Sequence, residues 1–234
     1  MIELSYDKLW RGFWGDIQRF GPVHRHIAED LVRTVSTLSV KSVLDAGCGS
    51  GDNLAALAAL KRYELTGVDI SREAISLAGL RVPSAKLYCL DIQHEALPEK
   101  FDLVISIQVV EHLLDDIAAF KSIASMARNY VFISTIAGSM RPSEIAIGHI
   151  RNYSSIELQR KLESAGLEVL RISRWGFPFY SPLYRSLVEL FPGGPPAGPM
   201  GSLSRLIASM LYYIYKLNLT NRGDVLSALA RPKP

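Results

Sequence analysis

The stretch Val43-Leu44-Asp45-Ala46-Gly47-Cys48-Gly49-Ser50-Gly51-Asp52-Asn53 constrains this chain more than any other segment. A short apolar run reads as a buried strand. It ends in an acid, and glycines at alternate positions then lead into a helix. Glycine permits a tight turn and leaves no side chain between the backbone and a ligand. A dinucleotide fingerprint would read Gly-x-Gly-x-x-Gly, and a P-loop would continue into Gly-Lys-Ser/Thr. Here the pattern is Gly47-x-Gly49-x-Gly51 behind Asp45. A carboxylate in that position repels a pyrophosphate and attracts a cationic amine.

The chain continues the same rhythm. Leu65–Asp69, Lys86–Asp91, Phe101–Ile107 and Tyr130–Thr135 read as strands, with helices between them over 53–60, 71–80 and 115–127. Ser71 is placed to cap the second of these. Nearly continuous apolar strands alternating with helices predict a parallel sheet covered on both faces, a doubly wound α/β domain. Ligands in such sheets bind beyond the carboxyl ends of the strands. Asp69 ends the second strand, 18 residues after Gly51, where a carboxylate can accept both hydroxyls of a ribose. Asp91 with Ile92 follows the third strand and suits an adenine amino group and ring face. Ile107-Gln108-Val109-Val110-Glu111-His112 follows the fourth.

Composition excludes several classes. The chain has 234 residues, 48% hydrophobic, with a net charge of +3. That is enough for a full core and too little charge to argue for nucleic acid. Two cysteines, Cys48 and Cys89, cannot build a disulfide framework. The histidines and acids show no zinc-type spacing, so no metal is expected. The start of the chain lacks a basic stretch followed by an apolar run, and no apolar run approaches a spanning helix, so a cytoplasmic protein is expected. Residues 174–234 hold seven Lys/Arg and two Asp/Glu, against 19 and 21 in the rest. They also hold eight of the 12 prolines, marking a change of organisation there.

Together VLDAGCGSG, GVDIS, the strand-three acid, FDLVISIQVVEHL and GHIRNYSSIELQRKLESAGLEV make the chain resemble a class I S-adenosylmethionine (SAM) dependent methyltransferase. Its nearest likeness is to the ubiquinone/menaquinone-type and small-molecule branch. The resemblance covers about residues 20–176 and the last strand. It implies a seven-stranded, mostly parallel Rossmann-like sheet whose last strand is antiparallel. It divides the chain into an N-terminal helical lid (1–38), a SAM-binding core (39–176), a helical Pro/Gly-rich insertion expected to shape the acceptor pocket (177–219) and a final strand (220–234).

Carried over by position, Asp45 and the Gly47, Cys48, Gly49 and Gly51 loop would hold the methionine part of SAM. Asp69, with Ile70 beside it, would hold the ribose. Asp91 and Ile92 would flank the adenine, and Ile107 and Gln108 would line the methionine side. Arg25 or His24 falls where relatives place a basic residue against the methionine carboxylate; the plainer reading of His24, Arg25 and His26 is a solvated helix face. His112 and His149 are the candidate bases. Arg151, Tyr153 and Trp14 are expected against the acceptor, with Trp10 and Phe13 completing a lid.

The expected activity is methyl transfer to an oxygen or nitrogen of a small-molecule acceptor, leaving S-adenosylhomocysteine. A lipid or quinone-like acceptor at a membrane surface is the alternative enzyme. A non-catalytic SAM-binding protein is the alternative outside catalysis. RNA or protein methylation is not expected, because no Asn-Pro-Pro-Tyr-type motif follows strand four. The helix around 203–217 places Leu203, Leu206, Ile207, Met210, Leu211 and Ile214 at helical spacing, which predicts a core-packing or lid helix. Its sharper reading is an apolar substrate tunnel or an interfacial contact, helped by Arg205 and Lys216. Oligomeric state is not legible.

Overall fold

A computed structural model describes residues 7, 10, 14–190 and 200–233. Phe13 lies outside them. Eight strands form one sheet: β1 (Ser42–Ala46), β2 (Glu64–Asp69), β3 (Lys86–Cys89), β4 (Phe101–Ile107), β5 (Ala127–Ile136), β6 (Leu167–Phe177), β7 (Leu219–Thr220) and β8 (Val225–Pro232). Their spatial order is β3-β2-β1-β4-β5-β8-β6-β7. The first five strands pair in parallel, and β8 runs antiparallel between β5 and β6. The sheet therefore has the expected antiparallel last strand and one strand more than expected. The addition is the two-residue β7, paired antiparallel on the edge of β6.

Alternation along each strand sorts the core into two layers, because successive side chains point to opposite faces. Leu44, Val104, Val131 and Ile133 face α5 (Asp116–Met126) and α7 (Ser155–Ser164), meeting Phe120, Ile123, Leu158 and Leu162. Val43, Leu103, Ile105 and Phe132 face the other way. They meet α2 (Pro22–Ser36), α3 (Asp52–Ala58) and α4 (Arg72–Arg81) through Ile27, Leu31, Val35, Leu54, Leu57 and Ala78. Each large apolar side chain so buried contributes roughly 1.5–3 kcal/mol. Helix α2 is thus a wall of the core and not a detachable cap. Helix α1 (Trp14–Phe20) and Trp10 lie over the strand ends, where Trp10 meets Trp14 edge-to-face at 5.3 Å.

The caps follow local chemistry. Ser71 accepts from the Ala74 N–H at the start of α4, and Ser154 from the Glu157 N–H at the start of α7. Beyond β5 come α6 (Pro142–Ala146), a wound segment Phe179–Tyr184, α8 (Arg185–Val188) and α9 (Ser202–Tyr215). Helix α9 packs on α2, buries Ala208, Tyr212 and Tyr215, and leaves Leu203, Leu206, Ile207, Met210 and Ile214 exposed. The expectation that this leucine-rich stripe enters the core is overturned. Tyr212 and Tyr215 take the inward positions among aromatic rings: His26 stacks on Tyr212, Trp175, Tyr180 and Tyr184 meet the Tyr215 ring, and the Tyr212 hydroxyl donates to Glu29, while the buried Tyr215 hydroxyl has no partner among the described residues. No helix among the described residues is long and apolar enough to cross a membrane.

The segment after β6 is tied down by charge. The Arg185 guanidinium, 5% exposed, is paired with both Glu144 and Asp224 and donates to the Ala137 carbonyl at 3.1 Å. Removing one partner of a buried ion group strands the others. Arg185→Ala is expected to cost about 3–5 kcal/mol in urea unfolding. A loss under about 1 kcal/mol would mean the carboxylates find water instead.

Candidate functional site

The site is built where β1, β2 and β4 end. After Ala46 the chain turns through Gly47 (φ 86°), Gly49 (φ 52°) and Gly51 (φ 81°), all left-handed. Space forbids side chains as well: a Cβ on Gly47 would lie 2.4 Å from Val109 Cγ2, and one on Gly49 2.4 Å from Trp10 Cη2. The Gly47 and Cys48 N–H groups both donate to the Val68 carbonyl, at 2.8 and 2.9 Å. The loop is thereby held to β2.

Asp69 completes that tie. Its Oδ2 accepts from the Gly49 N–H at 2.8 Å and its Oδ1 from the Ser71 N–H at 2.9 Å. The carboxylate is 9% exposed and raised above the ordinary range, chiefly by burial. Asp45 differs. It is fully buried, and neither oxygen has a hydrogen-bond partner among the described residues. Burial, then the Asp69 charge, push it up to about 8, with the Asn53 side chain opposing. A buried carboxylate without partners is costly and demands a ligand or a proton.

A crevice runs from this loop across Asp69, Ile70, Asp91, Ile92, Ile107 and Gln108, closed over by Trp10 and Trp14. Asp91 stands two residues beyond β3, in a turn where its Oδ1 accepts from the Gln93 N–H at 2.9 Å. A second hollow joins it at Gly47, Ile107 and Gln108, lined by Cys48, His24 and Arg25. The Arg25 guanidinium lies 3.6 Å from the centre of the Tyr212 ring, a cation–π contact. His24 is lowered to about 4 by burial, and His26 stacks on Tyr212 at 4.6 Å. His24 and His26 are therefore packed, and the expected solvated face is reduced to Arg25's edge.

Gln108 connects these spaces to a third. Its backbone sits at φ 56°, a left-handed conformation that costs a non-glycine residue about 1–3 kcal/mol. Its Nε2 is buried without a partner. It lines both hollows above and a cavity of about 240 Å³ beyond them. That cavity is bounded by Trp14, Ile17, Val23, His112, Ile136, Glu144, His149, Tyr180 and Tyr184.

His112 and His149 meet edge-to-face at 4.6 Å on its wall, and Trp14 lies 5.5 Å from the His112 ring. Burial lowers His112 to about 3 and His149 to about 4. Each keeps a buried Nδ1 without a partner. Buried Glu111 lies with them: one ligand-type atom from each of the three falls within 4.8 Å of the others. Glu111 is pushed up to about 7 by burial and accepts from the Thr135 hydroxyl at 2.9 Å. Sequence spacing gave no hint of this meeting.

Two expected acceptor contacts face elsewhere. The Tyr153 hydroxyl, fully buried, donates to Asp116 Oδ2 at 2.6 Å. Arg151 donates to the Leu113 and Leu114 carbonyls and pairs with Asp116 at 3.2 Å. Both fasten the loop after β5 to α5, because Asp116 is the buried charge they must neutralise. Sequence reasoning missed Gln18, which lines all three spaces; Tyr180 and Tyr184, which line the third, fall in the insertion expected to shape the acceptor pocket, though neither was named. The spacing of Trp14, Ile17 and Gln18 on α1 is the one signal that marked Gln18.

Asp45 should govern stability near neutral pH. Between 3.8 and about 8 the folded chain holds a proton on Asp45 that the unfolded chain has lost, so stability falls as pH rises. Glu111 acts in the same direction up to about 7, leaving Asp45 alone above it, and the buried histidines act oppositely, but only below 6.5. The melting temperature of ligand-free protein should therefore fall from pH 6.5 to 8, and Asp45→Asn should flatten that fall. A wild-type profile flat over this window would refute the assignment.

A family model described as a methyltransferase domain matches residues 18–172. The ubiquinone biosynthesis O-methyltransferase of Chromobacterium violaceum is 25% identical over 211 residues, spanning 78% of this chain and 89% of that protein. Among solved structures, magnesium protoporphyrin IX methyltransferase from Synechocystis PCC 6803 with bound SAM superposes with a TM-score of 0.62. Its identity is 16%, over 98% of this chain and 92% of that one. The [4+2]-cyclase SpnF also superposes with a TM-score of 0.62, at 18% identity, over 95% and 87%. At such identities the likeness is one of fold, and the chemistry must be argued from the site.

Proposed function

The chain belongs to the methyltransferase domain family, and from that premise we propose that it moves the methyl group of SAM to an oxygen or nitrogen of a small, largely apolar acceptor held beside His112 and His149. Oxygen is favoured by the likeness to the Chromobacterium O-methyltransferase. The observation that carries the proposal is the position of Gln108, where the crevice over Asp69 opens into the histidine-walled cavity. A donor and an acceptor can meet only where two such chambers join.

The residues present fit the cofactor. Asp45, buried and unpartnered behind the glycine loop, suits the cationic end of the methionine moiety, and Gln108, on the wall of the crevice, has a buried Nε2 donor without a partner. Arg25 stands at the mouth of that hollow. Asp69 has each oxygen oriented by one backbone N–H and retains lone pairs for two ribose hydroxyls. Ile70, Ile92 and Asp91 offer apolar faces and one acceptor for a purine. When bound, SAM supplies a methyl group made electrophilic by its sulfonium.

The protein's remaining tasks are alignment and proton removal. His149 and His112 are uncharged at neutral pH, so each has an unprotonated ring nitrogen to accept a hydrogen bond from the acceptor, and burial makes both weak bases until charge develops beside them. Trp14 and Trp10 line the crevice, and their rings would keep water from a bound sulfonium. The cavity wall of Ile17, Val23, Ile136, Tyr180 and Tyr184 suits a ring or chain with few polar atoms.

Incubating the protein with methyl-labelled SAM and fractionated cell extract tests the reading. Label in small molecules supports it, and label in protein or nucleic acid overturns the acceptor class. Cofactor binding with no label in any fraction would favour a non-catalytic binder. Asp69→Ala should weaken binding of S-adenosylhomocysteine about 100-fold in calorimetry, since two charge-assisted bonds are lost. His149→Ala should lower kcat by about 10²–10⁴ and leave that affinity unchanged.

A further inference from the structure

We propose that the outward face of α9 docks on an anionic lipid bilayer, independently of the methyl-transfer reading. The helix is inside out for a water-facing element. Leu203, Leu206, Ile207, Met210, Tyr213, Ile214 and Leu217 follow one another at intervals of three, one, three, three, one and three. That spacing is a single continuous stripe on a helix. Every one of these side chains is exposed, Leu203 at 70% and Leu217 at 66%. The opposite face, Ala208, Tyr212 and Tyr215, is buried against α2 and the 179–184 segment. An exposed apolar stripe of this length marks an interaction surface.

Charge selects the occupant. No acidic residue lies between Glu189 and Asp224, whereas Arg205, Lys216 and Arg222 are exposed there. Arg205 reaches Asp16 at 3.2 Å, and Lys216 lies 4.8 Å from the Tyr212 ring centre. A second copy meeting this face would bring the same cations against themselves. An anionic bilayer matches them, and the tyrosines suit the boundary between headgroup and acyl chain. The helix is about 21 Å long at 1.5 Å per residue, which suits lying in the surface plane and not crossing it.

The test is co-sedimentation of the whole chain with vesicles of phosphatidylcholine alone or mixed with phosphatidylglycerol. Partitioning onto the mixed vesicles should exceed that onto phosphatidylcholine about tenfold or more and weaken with salt. Leu203→Ser/Ile207→Ser/Met210→Ser should reduce it about tenfold or more. Lys216→Glu/Arg222→Glu should remove the preference for the anionic vesicles. Each replacement is at the surface, so unchanged circular dichroism and S-adenosylhomocysteine affinity keep a folding defect apart from a docking defect. Equal recovery of wild type with and without mixed vesicles overturns the proposal. So does a concentration-dependent dimer that the triple replacement dissolves without any vesicle binding, which would assign the face to a second copy.

Discussion

The Asp69 carboxylate, clamped between the Gly49 and Ser71 N–H groups, is the contact on which the site depends. It joins the loop after β1 to the turn after β2. The loop can be held this way only because its backbone takes left-handed angles at three glycines. The Gly47 and Cys48 bonds to the Val68 carbonyl secure the same turn from below. Once it is set, Asp45 is left beneath it, buried and unpartnered, at the carboxyl edge of a sheet whose central strands are packed on both faces.

The two chambers are held by different physics. The crevice at the glycine loop is made by backbone geometry and is local to the ends of β1, β2 and β4. The cavity behind Gln108 is made by charge and packing across long sequence distances. Arg185 ties Glu144, on the cavity wall, to Asp224 before β8. That linkage brings Tyr180 and Tyr184 over the histidine pair. Arg151 and Tyr153 serve the same end from the other side by closing on Asp116. The strained backbone of Gln108 sits where the two constructions meet, and buried contacts on both sides hold it there.

The parallel strands, the capping serines and the crevice acids were readable because each is a local requirement. A strand that is buried on both faces must be apolar throughout, and a left-handed turn must be glycine-rich. Asp69 and Asp91 were legible as polar residues placed where an apolar strand stops. Tyr153 misled because a tyrosine in a loop carries no mark of direction. Its hydroxyl went to the nearest buried charge, Asp116, and not to the cavity.

The amino-acid order alone determined the doubly wound sheet and the floor of its glycine-loop crevice, since period-two and glycine patterns act within a few residues. Tertiary structure decided the acceptor side. His112 and His149 stand 37 positions apart in the chain, and only the packing of the loop after β5 sets their rings 4.6 Å apart. It also decided which way α9 faces. That helix has apolar residues on both sides, and hydropathy ranks the leucines no lower than the tyrosines. His26, Trp175 and Tyr180 favour the tyrosines by packing ring against ring, and Glu29 accepts from the Tyr212 hydroxyl, contacts that a leucine in those positions would not make.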